Sequence, residues 1–519
     1  MSDEEGEQRL PEGWDWTTIG QVASTLSGGT PDRAVPKYYK GDIPWLKSGE
    51  LEDNLVTEVE EHITAEGLKH SSAKVFPKNT VVVALYGATV GKTAILGLDT
   101  STNQAICAVV PRAEVFSPKY MFYWLQSQRQ TLLGKRAGGA QPNINQSIVQ
   151  NLPFPLAPFA EQQRIVAEIE KQLTRLDAGV AGLNHAHANL RRYHASVLKA
   201  ACEGRLVAQD PNDEPASILL ERIQTERRVS WEAAQRAKGK DPQKQAYPQP
   251  ASPDTASLPL LPEGWVWTTL DAVGEVQGGI QKQPSRNPNQ NAYPYLRVEN
   301  VLRGRLNLKE VFNIELFGNE LEKLRLQSED LLIVEGNGSR TEIGRCALWR
   351  GEIENCVHQN HIIRVRTPKL SAIYASQYLN SPQGIAQMRA VASSTSGLYT
   401  LSVSKIKSIV LPLPPLAEQQ RIVAEVERRL SVVDELQATI TANLKRAGRL
   451  RQAILKRAFS GKLVPQDHND EPASVLLACI REQRAEAGNT AGEKKTKRSA
   501  APKAKRRSNR AAAGQGRLL

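Results

Sequence analysis

Mostly apolar residues return at alternating steps of three and four from Val166 through Ile169, Leu173, Leu176, Val180, Leu183, His187, Leu190, His194 and Val197 to Ala201. A second series runs Val423, Val426, Leu430, Val433, Gln437, Ile440, Leu444, Ala447, Arg451, Ile454 and Ala458. A seven-residue repeat of this kind lays one apolar stripe along one face of a helix. No proline falls between Phe159 and Asp210, or from Leu416 to Val464, so each stripe predicts one unbroken helix. About 40 residues rising about 1.5 Å each make a rod of roughly 60 Å. Each rod is apolar on one side only and needs a partner, which the other rod supplies. His187 and His194, one heptad apart on the seam, read as polar positions that fix register.

Ahead of each rod the pattern changes. "NTVVVALYGA" (79–88), "AICAVVP" (105–111), "EDLLIVEGNG" (329–338) and "HIIRVRT" (361–367) are β-branched runs bounded by turn residues, and predict strands. "PKYMFYWLQSQRQTLLG" and "AIYASQYLNSPQGIAQM" carry helical spacing. The blocks are therefore expected to be α+β. The Pro-rich runs "LPFPLAPF" and "LPLPPL" stop each block and start each rod. After the first rod a short amphipathic segment leads into "GKDPQKQAYPQPASPDTASLP", a Pro/Ser/Gln linker.

Block and rod occur twice. "LPEGWDWTTI" at Leu10 returns as "LPEGWVWTTL" at Leu261, and a glycine pair follows in each (Gly28–Gly29, Gly278–Gly279). "IPWLKSGEL" answers "YPYLRVENV", aligning Lys47 with Arg297, and "GKTA" answers "GRCA". In the blocks the offset wanders. Across the rods it locks at 257, and "AEQQRIVAE" is identical at Ala160–Glu168 and Ala417–Glu425. A one-residue insertion would turn the rest of a helix by about 100°, so a gap-free match is what a ruler requires. A chain that leaves the first block along one rod must return along the other. The rods are thus expected to pair antiparallel, with the blocks at opposite ends about an approximate two-fold axis. The expected divisions are 1–157 and 261–414 for the blocks, 158–238 and 415–487 for each rod with its short helix, 239–260 for the linker and 488–519 for a tail.

Charge adds one feature. Of the net +12, nine charges lie from Glu493 to Leu519, an Ala/Ser/Gly-rich run with little to bury that is expected to be a disordered tail, solvated or anchoring a polyanion. Five scattered cysteines, without a Cys-x-x-Cys, fit reduced thiols. The acidic N-terminus and the lack of a long apolar run point to a soluble cytoplasmic protein without a membrane partner.

Catalytic signatures are missing. "GATVGKT" (Gly87–Thr93) has three residues where a phosphate-cradling P-loop needs four, so ATP binding is set aside. A glycine-bounded loop with one basic residue, Lys92 or Arg345, suits a backbone phosphate better. Cys346, Cys356, His358 and His361 have metal-ligand chemistry, but the first block lacks the histidines, and no metal is expected. No nucleophile elbow or adenine-methylation tetrapeptide appears, so the chain is read as non-catalytic.

Two divergent blocks on a fixed rod suit a molecule that reads two different half-sites on double-stranded DNA. "LPEGW.W", "SGGTP" (Ser27–Pro31), "YGATVGK", "NQAI", "YLRVENV" and the doubled "AEQQRIV", in that order from Leu10 to Arg484, closely resemble the specificity subunit of type I restriction-modification enzymes. The resemblance implies two target recognition domains that each read half of a bipartite asymmetric target. It also implies partners: two adenine methyltransferase subunits using S-adenosylmethionine, and restriction subunits driven by ATP with magnesium, while this chain binds no cofactor. The rods would set the spacer and dock the methyltransferases. In the second block "GGTP" becomes "GGIQ" and the loop ahead of Arg345 is longer, and the basic tail lies outside the pattern.

Amide-bearing, aromatic and basic loop residues are the expected DNA contacts: Lys47, Tyr86, Lys92, Gln141, Asn143 and Asn145 in the first block, and Arg297, Asn337, Arg340, Arg345, Gln359 and Tyr399 in the second. Glu161, Gln162, Gln163 and Arg164, with Glu418, Gln419, Gln420 and Arg421, are read as exposed. They are either helix-start polarity or a docking surface for the methyltransferase. The alternative to DNA recognition is a coiled-coil scaffold presenting two protein-binding domains.

Overall fold

The computed structural model describes residues 9–111, 115–134, 143–256, 258–395 and 397–482. The predicted rods form as helices Phe159–Cys202, 44 residues, and Leu416–Ala458, 43 residues. At about 1.5 Å per residue each is roughly 65 Å long. None of the seam positions read from the sequence is exposed. Each helix stops at a left-handed glycine, Gly204 or Gly461, both at φ 65°. The N–H groups of Arg205 and Lys462 then return to the carbonyls of Ala200 and Arg457, both at 2.9 Å.

The chain divides into two compact units, one of residues 1–181 with 444–519, the other of residues 182–443. In the first unit a mixed five-stranded sheet runs in the order Ala23–Ser27, Ile106–Pro111, Val81–Ala84, Thr93–Leu96, Asn54–Val56. A four-stranded sheet of Glu61–Ile63, Tyr39–Leu46, Thr100–Thr102 and Val75–Phe76 accompanies it. Asp15–Thr18 pairs with Pro153–Leu156, so the opening of the block returns beside its end. Helices Pro118–Ser127 and Arg129–Gly134 form where helical spacing was read.

The second unit has a four-stranded sheet in the order Glu275–Gly278, Ile362–Arg366, Leu331–Val334, Cys346–Leu348. Smaller sheets join Phe312–Glu315, Ala292–Leu296 and Val357–His358, and Gly336–Asn337, Leu398–Thr400 and Ser393–Thr395. Helices Ala372–Leu379 and Pro382–Val391 cover it, and Ala216–Ala237 is the short helix before the linker. The mixed α/β reading of both blocks therefore holds.

The glycine pairs exist for close approach. A side chain on Gly28 would overlap the Thr102 carbonyl, and one on Gly29 the backbone of Ser72 and Ala73. Gly279 is packed in the same way against the His358 carbonyl, whereas Gly278 has ordinary room.

Each unit's main core draws on both long helices. Ile165, Val166, Ile169 and Leu173 share the first with Ile454, Leu455, Ala458, Phe459, Leu477 and Ile480. Val197, Leu198, Ala201 and Cys202 share the second with Leu219, Ile223, Ile422 and Val426.

Candidate nucleic-acid interface

In the first unit the sheet ends present two loops side by side. Val81–Ala84 runs into Tyr86, which is exposed and precedes a tight turn at Gly87–Thr89. Gly87 and Gly91 hold φ of 75° and 77°, conformations that L side chains resist. The Ile144 N–H donates to the Leu85 carbonyl at 3.0 Å, bringing Asn143 and Asn145 beside Tyr86. Asn145 spends its Oδ1 capping helix Gln146–Gln150 through the Ile148 N–H at 2.9 Å, while Asn143 keeps a buried Oδ1 without a partner among the described residues. Gln141 lies outside the described residues.

The two candidate lysines of that unit are matched by carboxylates. Lys47 meets Glu60 at 2.7 Å and Glu61 at 3.1 Å, and the pair raises its pKa above the ordinary lysine value, Glu60 foremost. Lys92 meets Glu52 at 3.0 Å. Arg129, which no sequence pattern singles out, donates to the Gly91 carbonyl at 3.1 Å and to Asp53 at 2.6 Å, fixing the base of the same loop.

In the second unit Asn337 and Tyr399 face each other across paired strands. Arg340 stands exposed on the loop that follows. Arg297, Arg345 and Gln359 gather elsewhere, around residues 296–298: the Gln359 N–H donates to the Leu296 carbonyl at 2.9 Å and Arg345 donates to the Val298 carbonyl at 3.2 Å. The Arg297 guanidinium lies 3.6 Å from the Phe312 ring centre and pairs with Glu299. Arg303 and Arg389, also unflagged by sequence, reach the Thr341 carbonyl from behind.

The expectation that the repeated "EQQR" is exposed is corrected. Glu161, Gln162, Glu418 and Gln419 are buried. Trp14 Nε1 donates to Glu161 at 2.8 Å, and Trp265 Nε1 donates to Glu418 at 2.8 Å. Gln162 donates to the carbonyls of Val115 and Ala157 and accepts from the Ser117 N–H, while Gln419 accepts from Ser371 and donates to Pro414. These side chains fasten the helix start to its own block, so they offer no surface for another subunit. Arg164 and Arg421 form forked ion pairs with Asp470 and Asp213, at 2.6 and 2.5 Å. Only Gln163 and Gln420 of the eight are exposed.

The cysteine and histidine candidates separate. Cys346 lies in the core shared with the long helices and Cys356 in another cluster of the same unit. His361 is exposed beside Glu335 at 3.3 Å. His358 is fully buried, and burial first, then Arg364, pushes its pKa down to about 4. Among the described residues no three His, Cys, Asp or Glu side chains are grouped to hold a metal, and no helix is long and apolar enough to cross a membrane.

Two loop-bearing α/β blocks joined to long helices thus occur in one chain, and residues 11–182 and 262–446 match the family described as the type I restriction modification DNA specificity domain. The chain belongs to this family. Its members include specificity subunits, the non-catalytic, DNA-recognising part of type I restriction enzymes. The specificity chain is 24% identical over 505 residues to the EcoKI specificity subunit of Escherichia coli strain K12, covering 94% of this chain and 99% of that one. It is 25% identical over 513 residues to the StySPI specificity subunit of Salmonella potsdam, covering 95% and 99%. A solved chain from work on complex assembly and conformational transition of the type I system is similar in fold. That match has a TM-score of 0.58 and 19% identity, over 88% of this chain and 99% of that one.

Proposed function

We propose that this specificity chain reads a bipartite, asymmetric DNA target. Each unit would recognise one half through its loop cluster, at Tyr86, Lys92, Asn143 and Asn145 with Lys47 in the first, and at Asn337, Arg340 and Tyr399 with Arg297, Arg345 and Gln359 in the second. The loops differ in length and charge between units, which supports unlike half-sites. The long helices set the spacer. The observation that carries this is an unbroken helix, Phe159–Cys202, whose first half belongs to the core of one unit and whose second half belongs to the core of the other.

An antiparallel helix pair is supported by cores whose numbers run in opposite senses, Ile165 and Ile169 with Ile454 and Ala458 in one and Val197 and Ala201 with Ile422 and Val426 in the other, and by the ion pair of Asp177 with Arg451. The repeated tryptophan–glutamate bonds and forked arginine–aspartate pairs support a common construction of the two units. The helices' outer faces, including Gln163 and Gln420, would dock two methyltransferase subunits that carry S-adenosylmethionine, with ATP-driven restriction subunits beyond them.

The test is methylation-sensitive single-molecule sequencing of genomic DNA from cells with and without this gene, beside its methyltransferase. N6-methyladenine at one split asymmetric motif only when the gene is present is the expected result. An unchanged methylome in cells that express both proteins would refute it and restore the scaffold reading.

A further inference from the structure

The second unit concentrates positive charge under one loop. Residues 336–345, "GNGSRTEIGR", leave the strand Gly336–Asn337 and turn back toward Cys346–Leu348. The turn is held by its own short bonds: the Ser339 N–H donates to Asn337 Oδ1 at 2.8 Å, the Ser339 and Thr341 hydroxyls meet at 2.7 Å, and the Glu342 N–H donates to the Ser339 carbonyl at 3.1 Å.

Two guanidinium groups reach one backbone oxygen from beneath. Arg303 Nη2 donates to the Thr341 carbonyl at 3.2 Å, and Arg389 Nη2 donates to it at 3.0 Å. Arg345, at the end of the loop, donates to the Val298 carbonyl. One nitrogen of each, Nη1 of Arg303, Nε of Arg345 and Nε of Arg389, is buried without a hydrogen-bond partner among the described residues. Glu342, 3.9 Å from Arg345, is the one carboxylate that pairs with this group among the described residues. Burial pushes the Arg303 pKa down, with Glu342 opposing and Arg389 and Arg345 adding to the shift.

Gathering three like charges around one carboxylate is unfavourable in the free protein. The first unit avoids it: Arg129 is matched by Asp53 and Lys92 by Glu52. Above the arginines the loop lies open. Arg340 is exposed and forms no ion pair among the described residues, and a side chain at Gly338 would meet nothing within 4 Å, so a ligand can come close to the backbone. A polyanion on the loop would sit within about one Debye length, ~8 Å, of the charges below it.

We propose that loop 336–345 seats a DNA phosphodiester, with Arg340 making the contact and Arg303, Arg345 and Arg389 supplying the attracting field and holding the loop from beneath. This rests on the DNA reading above and adds Arg303 and Arg389, which both bond the Thr341 carbonyl of the loop, as positioning residues.

The experiment titrates the full chain onto a labelled duplex of mixed sequence over a sodium chloride series, read by fluorescence anisotropy. The double variant Arg303→Gln with Arg389→Gln is expected to bind more weakly, with a slope of log affinity against log salt shallower by about 0.9 for each phosphate no longer neutralised. Arg303→Lys with Arg389→Lys keeps the charge and is expected to keep the slope. A wild-type slope in the glutamine pair, or equal losses in the lysine and glutamine pairs, overturns the proposal while leaving DNA binding intact. If circular dichroism shows the glutamine pair unfolded, Arg340→Glu on the exposed loop replaces it, and an unchanged slope there is equally fatal. Absence of wild-type binding at low salt would instead refute the DNA reading itself.

Discussion

Trp265→Phe removes one of the bonds that join the second block to its long helix. Trp265 is 6% exposed and Glu418 1%, and the indole N–H lies 2.8 Å from the carboxylate. Phenylalanine keeps most of the ring in the core but removes the donor. Glu418 would then retain the side-chain amide of Gln209, at 3.3 Å, as a side-chain partner. A hydrogen bond to a charged group contributes about 1.5–3 kcal/mol, and the missing ring volume adds to it, for a total of roughly 2–4 kcal/mol. In a unit of this size that lowers the melting midpoint by roughly 5–15 °C. Differential scanning calorimetry of the full chain reads the shift. A double-mutant cycle with Glu418→Gln reads the charge-dependent part of the bond, because glutamine leaves only a neutral acceptor for the indole. A coupling energy of about 1 kcal/mol or more is expected. Additivity of the two substitutions within about 0.5 kcal/mol would refute the argument that this pair helps fasten the helix start to its block. Trp14 and Glu161 should behave alike in the first unit.

Three further outcomes are expected. His358 is neutral in the fold, with a pKa of about 4 against 6.5 unperturbed, so unfolding takes up a proton. Its contribution is complete above pH 6.5 and is lost as pH falls toward 4, by roughly 3 kcal/mol, a loss that urea unfolding should find reduced in His358→Gln. Gly28→Ala and Gly279→Ala should be strongly destabilising and Gly278→Ala mild, since only the first two would drive a side chain into a facing carbonyl; equal thermal melts for the three would refute this. Inserting four residues at both Ala181 and Ala438 lengthens each helix by about 6 Å, close to two base pairs at ~3.4 Å each. Methylome sequencing should then report a longer spacer or no modification, and the original motif would exclude the ruler.

The rods were legible because a heptad stripe is a one-dimensional signal that depends on few distant contacts. The strands at 81–84, 106–111, 331–334 and 362–366 were legible for the same reason, being short β-branched runs cut off by turns. Burial of a polar run was not. "EQQR" reads as a helix start facing water, and only the fold shows Trp14, Trp265 and the carbonyls of Val115 and Pro414 waiting to bond it. Periodicity sees hydrophobicity, whereas these glutamates and glutamines are buried because every partner is supplied by another segment. Arg129, Arg303 and Arg389 escaped for a related reason. Each lies far along the chain from the loop it supports, and no spacing rule links them.

The closing of the first unit has a consequence during synthesis. Its core needs Ile454, Phe459, Leu477 and Ile480, and Ala473 bonds back to Gly13. The second unit is contiguous, residues 182–443. A ribosome adding about 5–20 residues per second must therefore work for roughly 15–60 s after residue 181 before the first block can complete its core. The later block finishes first, and the earlier one waits with an apolar edge uncovered. That inverts the usual N-terminal-first order and makes the arrival of residues 444–482 the step on which folding of the chain's beginning depends.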